Sequence, residues 1–197
     1  MSKVAIKGNA SGTGTFTLEA PNSNTDRTLT LPDEAGTVLT SASDITGQAM
    51  NGPAFRAYLS SNQSISSNVG TVVQLDTETF DTDSCYDTST YRFTPTVAGY
   101  YFAYFQARWT VPVSQQCAFQ IAIRKNGAQV SGGQHDMNAG SNTDAFTLNR
   151  SMLVYMNGTT DYMDFLAYQY IYTSPQSRDV INGSSQTHAE AYFVRGA

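Results

Sequence analysis

The two histidines are the first side chains of this sequence to test for metal binding or proton transfer. His135 precedes Asp136 in a Gly-, Asn- and Ser-rich stretch from Val130 to Asp144, which predicts a solvated loop tip, with a metal or ligand site as the alternative. His188 lies at the start of the last apolar run, where we expect a surface histidine. Because the two histidines are far apart and the cysteines lack zinc spacing, the sequence argues against a structural zinc site.

The two cysteines, Cys85 and Cys117, predict free and partly buried thiols. A secreted scaffold that depends on disulfides would usually carry more cysteines. A Cys85–Cys117 bridge stays open as the alternative, because sequence alone does not settle the pairing.

The acidic run from Asp76 to Asp87 could suggest calcium binding or acid–base catalysis. It lacks the alternating acidic positions, the glycine and the closing glutamate of an EF-hand loop. The sequence also contains no Gly-x-Ser-x-Gly motif, P-loop or dinucleotide-binding fingerprint. We therefore predict no catalytic residue, no cofactor-binding residue and no mapped metal ligand, in a protein that is not an enzyme.

Composition and charge narrow the class of protein further. Charged residues make up 14% of the 197 residues and hydrophobic residues 40%, which suits a folded β-protein with many turns better than a disordered chain. The net charge is −5 and no basic stripe is present, which argues against a nucleic-acid partner. No apolar run reaches the length of a membrane span, and the N-terminus lacks the apolar core of a signal peptide. We expect no membrane insertion and synthesis in a cytoplasm.

The elements that position these side chains are predicted β-strands, and the strand richest in apolar residues lies between Tyr91 and Trp109. Side chains alternate along a strand, so one set faces the core of the domain and the other faces away from it. Both sets are apolar, so this strand has no obvious solvent-facing side. The core-facing set is Tyr101, Ala103, Phe105, Ala107 and Trp109, and the opposite set begins with Tyr100, Phe102 and Tyr104.

Further strands follow with turn signals between them. A strand is predicted around Val72 to Leu75, and Phe119, Ile121 and Ile123 alternate with polar or small residues before Asn126-Gly127, a strong hairpin signal. Asn157-Gly158 gives the same hairpin signal between two further predicted strands, and residues 188–197 predict a closing strand. Short strands with such spacing predict an antiparallel sandwich or barrel.

Residues 1–50 differ from the rest of the chain in composition and in the length of their apolar runs. Three short alternating runs, at 15–18, 28–31 and 37–40, contain too few large apolar residues to bury a core of their own. We therefore predict a β-rich attachment or trimerisation segment at 1–40, a linker at 41–54 with a helical turn at Asp44–Met50 as one option, and a head domain at 55–197.

The stretch from Leu75 to Phe105 resembles the signature of the complement C1q globular-head family, which belongs with tumour-necrosis-factor-like jelly rolls. Leu75 and Ala103 depart from it, since the family usually has Phe at both places. The matching positions are Asp81, Tyr86, Phe93, Gly99, Tyr101 and Phe105.

This resemblance covers about Phe55 to Ala197 and implies a ten-stranded antiparallel jelly-roll sandwich that assembles as a homotrimer. Some members of the family bind calcium near the trimer axis. We map no calcium ligand onto this sequence, so calcium stays open as a cofactor without assigned residues.

The composition predicts an oligomer independently of the resemblance. Tyr100, Phe102 and Tyr104 could each bury roughly 150–250 Å², and together they rival the largest apolar patch of a typical monomer. Tyr168 and Tyr170, on one side of the strand predicted at 162–172, are expected to add to the same trimer interface. The alternative is that these rings pack under loops within one protomer.

The N-terminal alternation resembles segments of tailed-bacteriophage virion proteins, and two virion functions follow from it. The first is a tail-fibre or fibre-tip protein whose jelly-roll head binds a glycan or protein of the host surface. The second is a capsid decoration, cement or head-fibre protein that clamps shell subunits at three-fold positions, with residues 1–50 binding other virion proteins. A soluble carbohydrate-binding or secreted C1q-like module is the third alternative.

Host recognition is expected in two long polar loops, at 132–144 and 173–185, because loops on a rigid scaffold usually carry binding residues. The candidate residues in these loops are His135, Asp136, Asn138, Asn142, Gln176 and Arg178.

Overall fold

The computed structural model describes residues 11–13, 22, 24–26, 28, 52–112, 114–138 and 145–196. The chain divides into two compact units, Met1–Asp44 and Ile45–Ala197. The strands predicted before residue 41, apart from Thr28, and the helical turn predicted at Asp44–Met50 lie outside the described residues. In the part of the chain that is described, no helix is long and apolar enough to cross a membrane.

The described part of the second unit is built from strands. In chain order they are β1 (Ala54–Tyr58), β2 (Gln63–Ile65), β3 (Thr71–Val72), β4 (Thr77–Asp81), β5 (Tyr86–Asp87), β6 (Arg92–Phe93), β7 (Gly99–Trp109), β8 (Gln116–Lys125), β9 (Ala128–Asn138), β10 (Phe146–Met156), β11 (Met163–Ile171), β12 (Arg178–Val180) and β13 (His188–Arg195). The resemblance implied ten strands, whereas the described residues form thirteen, of which β2, β3, β5, β6 and β12 are fragments of two or three residues.

Two antiparallel sheets form the sandwich. In the first sheet the order is β10, β7, β13, β1, β4, and β12 and β2 continue it at the Trp109 end of β7. In the second sheet the order is β5, β6, β11, β8, β9, with β3 paired to β11. The all-β, two-sheet antiparallel architecture that the sequence predicts is therefore confirmed.

Aromatic side chains from both sheets fill the space between them. Phe105 of β7 contacts Phe165 of β11 across the core, with ring centroids 5.2 Å apart. The Phe55 ring stacks on Tyr86 and on Phe93, each at 4.6 Å. The alternation predicted for β7 and β8 is confirmed, since the residues predicted to face inward on both strands are fully buried.

The positions that carry the C1q-like resemblance have structural roles. Tyr86 donates its hydroxyl to the Leu75 carbonyl at 2.8 Å, and Tyr101 donates to Val97 at the same distance. Burial raises the pKa of Tyr101 to about 12, so the hydroxyl stays a donor. A side chain at Gly99 would place its Cβ 2.4 Å from the Arg195 carbonyl oxygen, so only glycine fits there.

The Asn126-Gly127 hairpin is confirmed between β8 and β9. Both residues have positive φ, 52° and 78°, as the predicted tight turn requires. Asp161 braces the turn, since it accepts from Asn126 Nδ2 at 2.7 Å and lies 2.7 Å from Lys125 Nζ.

The prediction for Asn157-Gly158 was wrong in its partner strands. These residues follow β10 in the first sheet and lead to β11 in the second, so they open a crossover rather than a hairpin. Asn157 Oδ1 accepts from the backbone N–H groups of Thr159, Thr160 and Asp161, which turns the chain towards the other sheet.

The strand predicted around Val72 to Leu75 is also shorter than expected. β3 ends at Val72, although Val73 N–H still donates to the Phe165 carbonyl of β11 at 2.8 Å. Leu75 N–H then donates back to the Val73 carbonyl at 3.0 Å and curls the chain. Val73 and Leu75 are nevertheless fully buried, so the apolar character that suggested a strand serves the core.

Candidate functional site

The outward side of the first sheet carries a continuous set of apolar side chains, which we call the first-sheet face. Cross-strand pairing places Leu153, Phe102 and Tyr192 in one row, and Tyr155 beside Tyr100 in the next. Neighbouring strands thus bring together residues that are distant in sequence. The exposed members include Tyr100 (37%), Tyr155 (40%), Tyr192 (49%) and Leu153 (55%), and Phe80 of β4, opposite Arg56, is exposed on the same side.

The rings of this face contact one another. The centroids of Tyr100 and Tyr155 lie 5.7 Å apart, and those of Phe102 and Tyr192 lie 5.4 Å apart. Tyr100, Phe102 and Tyr104 point outward together, as the alternation predicts. Leu153, Tyr155 and Tyr192 were missed, because only the pairing of β10 and β13 with β7 shows that they share this side. The alternation of exposed Leu153 and Tyr155 with buried Val154 and Met156 is the sequence signal that could have found them.

The first-sheet face becomes polar towards the Trp109 end of β7. Glu190 lies opposite both Tyr104 and Arg56, and the Arg56 Nη1–Glu190 Oε2 distance is 3.6 Å. Gln106 accepts from the Tyr104 hydroxyl at 2.9 Å and donates to the Ser185 and Gln186 carbonyls. One face therefore carries an apolar end and a hydrogen-bonded end.

His188 lies at this polar end and is buried, which corrects the expectation of a surface histidine. Its residue surface is 8% exposed, because Gln106 and Tyr58 flank it in the ladder and the Tyr104 ring lies 5.7 Å away. Nδ1 has no hydrogen-bond partner among the described residues. Burial, helped by the positive charge of Arg56 and opposed by Glu190, lowers the pKa of His188.

Tyr168 and Tyr170 point outward from the second sheet, so they lie on the opposite side of the sandwich from Tyr100, Phe102 and Tyr104. The five residues predicted as one interface therefore form two separate groups. We call the outward side of β11, β8 and β9 the second-sheet face. Its members are Tyr168, Tyr170, Tyr172, Gln120, Gln134 and Asp136.

Hydrogen bonds hold the rings of the second-sheet face to their own chain. Tyr168 donates its hydroxyl to Asn68 Oδ1 at 2.8 Å, and Tyr172 donates to Asp136 Oδ1 at 3.2 Å. Desolvation and the nearby Asp136 carboxylate raise the pKa of Tyr172, which keeps this hydroxyl a donor. The rings of Tyr170 and Tyr172 meet edge to face at 4.9 Å.

Of the recognition loop predicted at 132–144, the described residues 132–138 lie in β9. His135 and Asp136 lie within β9 because residues 131–138 of the glycine-rich sequence pair with β8. They point to opposite sides of the sheet, so they cannot act together as a metal or ligand pair. His135 pairs opposite inward-facing Phe119, and its ring lies 5.7 Å from that of Phe146.

The remaining recognition candidates are separated from one another. Asn138 is the last residue of β9, and Asn142 lies outside the described residues. Arg178 starts β12, so a strand interrupts the loop predicted at 173–185, and Arg178 Nη2 donates to Gln176 Oε1 at 3.2 Å. The Gln176 carbonyl accepts from the buried Gln169 amide at 2.8 Å, which ties this loop to the core.

The cysteines and the acidic run named by the sequence have local structural partners in the described part of the chain. Cys85 and Cys117 are free, as predicted, and more deeply buried than expected, and desolvation raises the pKa of both thiols. Hydrogen bonds from Ser89 and Thr90 lower the pKa of Asp87 to about 2 and hold it as a turn brace. Among the described residues, no group of three or more His, Cys, Asp or Glu side chains is placed to hold a metal ion.

No family model and no curated protein matches the chain. Among solved structures, the globular domain of a zebrafish complement 1qA protein is 10% identical, covers 74% of this chain and 99% of its own, and has a TM-score of 0.43. The Eiger TNF from S. frugiperda is 10% identical, covers 74% of this chain and 93% of its own, and has a TM-score of 0.48.

A crystal structure of murine APRIL at pH 5.0 is 8% identical, covers 73% of this chain and 99% of its own, and has a TM-score of 0.52. This likeness confirms the predicted jelly-roll fold. At this identity it shows the fold alone.

Proposed function

We propose that this protein is a homotrimeric, non-enzymatic binding head in which copies of the chain bury the first-sheet face against one another. The observation that carries the proposal is the contiguous set of exposed apolar side chains around Phe102, which a single chain leaves in water. Transfer of such surface from water is favourable by about 25 cal/mol per Å², so contact between copies stabilises the assembly.

We also propose that the assembly contains three copies of the chain and that it has no catalytic role. The C1q-like resemblance implies three chains around one axis. The two ends of the first-sheet face differ, with Tyr155 and Tyr100 at one end and Glu190 and Arg56 at the other. Polar groups at one end can fix the register of the copies, because an unpaired buried charge is costly.

Sedimentation equilibrium of the full chain tests this proposal. We expect a particle of three times the chain mass of 21.4 kDa. Phe102→Asp should produce monomers, because it would bury a carboxylate among apolar groups. Val130→Asp changes another exposed apolar residue, on β9 of the second sheet, and should leave the trimer intact. A monomeric wild type at micromolar concentration, or dissociation by Val130→Asp alone, contradicts the assignment.

We further propose that the trimer is a virion structural protein of a bacteriophage, attached through residues 1–50 and presenting the head for host binding. The support is the resemblance of the N-terminal alternation to segments of virion proteins. A tail-fibre or fibre-tip position is the first placement, and a capsid decoration or head-fibre position is the second.

Electron microscopy of virions labelled with an antibody against the head domain distinguishes these placements. Label at the tail supports a fibre, and label over the shell supports decoration. Purified particles without the chain would reject both and leave a soluble or secreted binding module. A second test is limited proteolysis of the isolated protein, in which residues 1–40 should be cleaved before the head.

A further inference from the structure

The second-sheet face has the composition of a ligand platform. Tyr168, Tyr170 and Tyr172 follow one another at every second residue, so their rings form a stripe along the strand direction. Tyr172 is half exposed. Because the hydroxyls of Tyr168 and Tyr172 are tied to Asn68 and Asp136, these two rings are held in place before any ligand arrives.

Polar groups flank the stripe on one side. Gln134 Nε2 and the Tyr172 hydroxyl both donate to Asp136 Oδ1, at 2.7 and 3.2 Å. No described residue donates to Asp136 Oδ2, so that oxygen is available to accept from a ligand. A cavity of about 280 Å³ adjoins this carboxylate, with Tyr172, Gln116 and Met137 among its lining residues.

The charge of the face narrows the class of ligand. Arg124 is the cation on this side of β8, and Asp164 already holds it through two hydrogen bonds of 2.6 and 2.8 Å. No other Lys or Arg side chain lies among the members of the face. An acidic ligand would therefore meet the like charge of Asp136 on the face itself. Arg178, whose charge acts on Cys117 in the cavity lining, belongs to β12 of the first sheet.

We propose that the second-sheet face binds a neutral, hydroxyl-rich glycan. Sugar rings would stack on the tyrosines of the stripe, and sugar hydroxyls would donate to Asp136 and pair with the Gln134 amide. Aromatic rings flanked by a few polar groups suit such a ligand, which is apolar on its ring faces and polar at its edges. The inference rests on the proposed function, because a trimer that buries the first-sheet face leaves this face outward.

Binding is tested with the full chain on a printed array of neutral and acidic oligosaccharides, and hits are repeated in solution by calorimetry. Tyr172→Ala should weaken binding of a neutral hit about tenfold, since it removes one stacking ring. Tyr172→Phe keeps the ring and should stay within about threefold of the wild type. Tyr91→Ala changes a tyrosine of the β5–β6 turn that lines a different cavity, with Asn62 and Asp76. It is the matched control and should bind as the wild type does.

Sedimentation of each variant separates failure of the inference from failure of the proposed trimer. A trimer that binds no neutral oligosaccharide, or only acidic ones, overturns the glycan site and leaves the trimer standing. Neutral binding that survives Tyr172→Ala and Tyr170→Ala places the ligand elsewhere and also overturns it. Dissociation by either substitution would show that a second copy, not a glycan, covers this face.

Discussion

The two outward faces of the sandwich use aromatic residues in different ways. On the first-sheet face, the rings of Tyr155 and Tyr192 contact other aromatic rings and remain exposed, as does Leu153. On the second-sheet face, the hydroxyls of Tyr168 and Tyr172 bond to polar groups of their own chain. An aromatic surface without polar anchors gains most from being covered by protein, whereas an anchored one is stable in water and keeps its rings available. The comparison teaches that aromatic content alone does not identify an interface.

The largest expected effect comes from polar substitutions on the first-sheet face. Leu153→Ser combined with Tyr192→Ser should weaken association by roughly 3–6 kcal/mol per protomer, because two large side chains would no longer be buried between copies. The matched pair Tyr168→Ser and Tyr170→Ser on the other face should leave the trimer unchanged. A dilution series in the analytical ultracentrifuge measures both. Equal weakening by the two pairs would remove the distinction between the faces.

The next effect concerns ion pairs, one on each face. Asp164 is almost fully buried and accepts hydrogen bonds from Nε and Nη2 of Arg124. Arg124→Ala should therefore lower the free energy of unfolding by about 3–5 kcal/mol, because it leaves a buried charge unpaired. Arg56 and Glu190 are about a third exposed at 3.6 Å, and Arg56→Ala should cost about 0–1 kcal/mol.

Urea unfolding in the monomeric Phe102→Asp background measures this difference without a contribution from association. A loss of stability for Arg56→Ala as large as that for Arg124→Ala would contradict the contrast between a buried pair and a screened one.

The smallest effect is a pH dependence at the polar end of the first-sheet face. His188 has a pKa below its ordinary value of 6.5, so the unfolded chain binds the proton more readily than the folded one. Stability should therefore fall as the pH drops below about 6.5. Glu190 opposes the shift and Arg56 adds to it. Tyr58 and Gln106 flank His188 in the ladder, and burial raises the pKa of the neighbouring Tyr104, which therefore stays neutral in this range.

His188→Gln should flatten this pH dependence, because it removes the titrating group and keeps a polar side chain. Thermal unfolding between pH 5 and 8, compared with a His135→Gln control, measures it. An unchanged slope in His188→Gln would assign the acid sensitivity to carboxylates instead.

The sequence predicted those parts of the fold that local chemistry controls. Alternation along β7 and β8 identified inward-facing residues because a strand turns each successive side chain to the opposite side. The Asn126-Gly127 turn was predictable because few residues accept positive φ at two consecutive positions. The aromatic and glycine pattern of the C1q-like resemblance likewise indicated the jelly roll, since its aromatic residues are buried in the core and Gly99 lies where a side chain would meet the backbone.

The sequence did not show which strands pair with one another, and only the tertiary structure decided this. The same Asn-Gly dipeptide makes a hairpin at 126 and opens a crossover at 157, because the partner of β10 is β7 and not the next strand in the chain. Alternation showed that Tyr100 and Tyr168 each point outward, yet it could not show that they point to opposite sides of the molecule. Local conformation depends on neighbouring residues, so the local sequence predicts it. The grouping of side chains into a surface depends on which distant strands share a sheet.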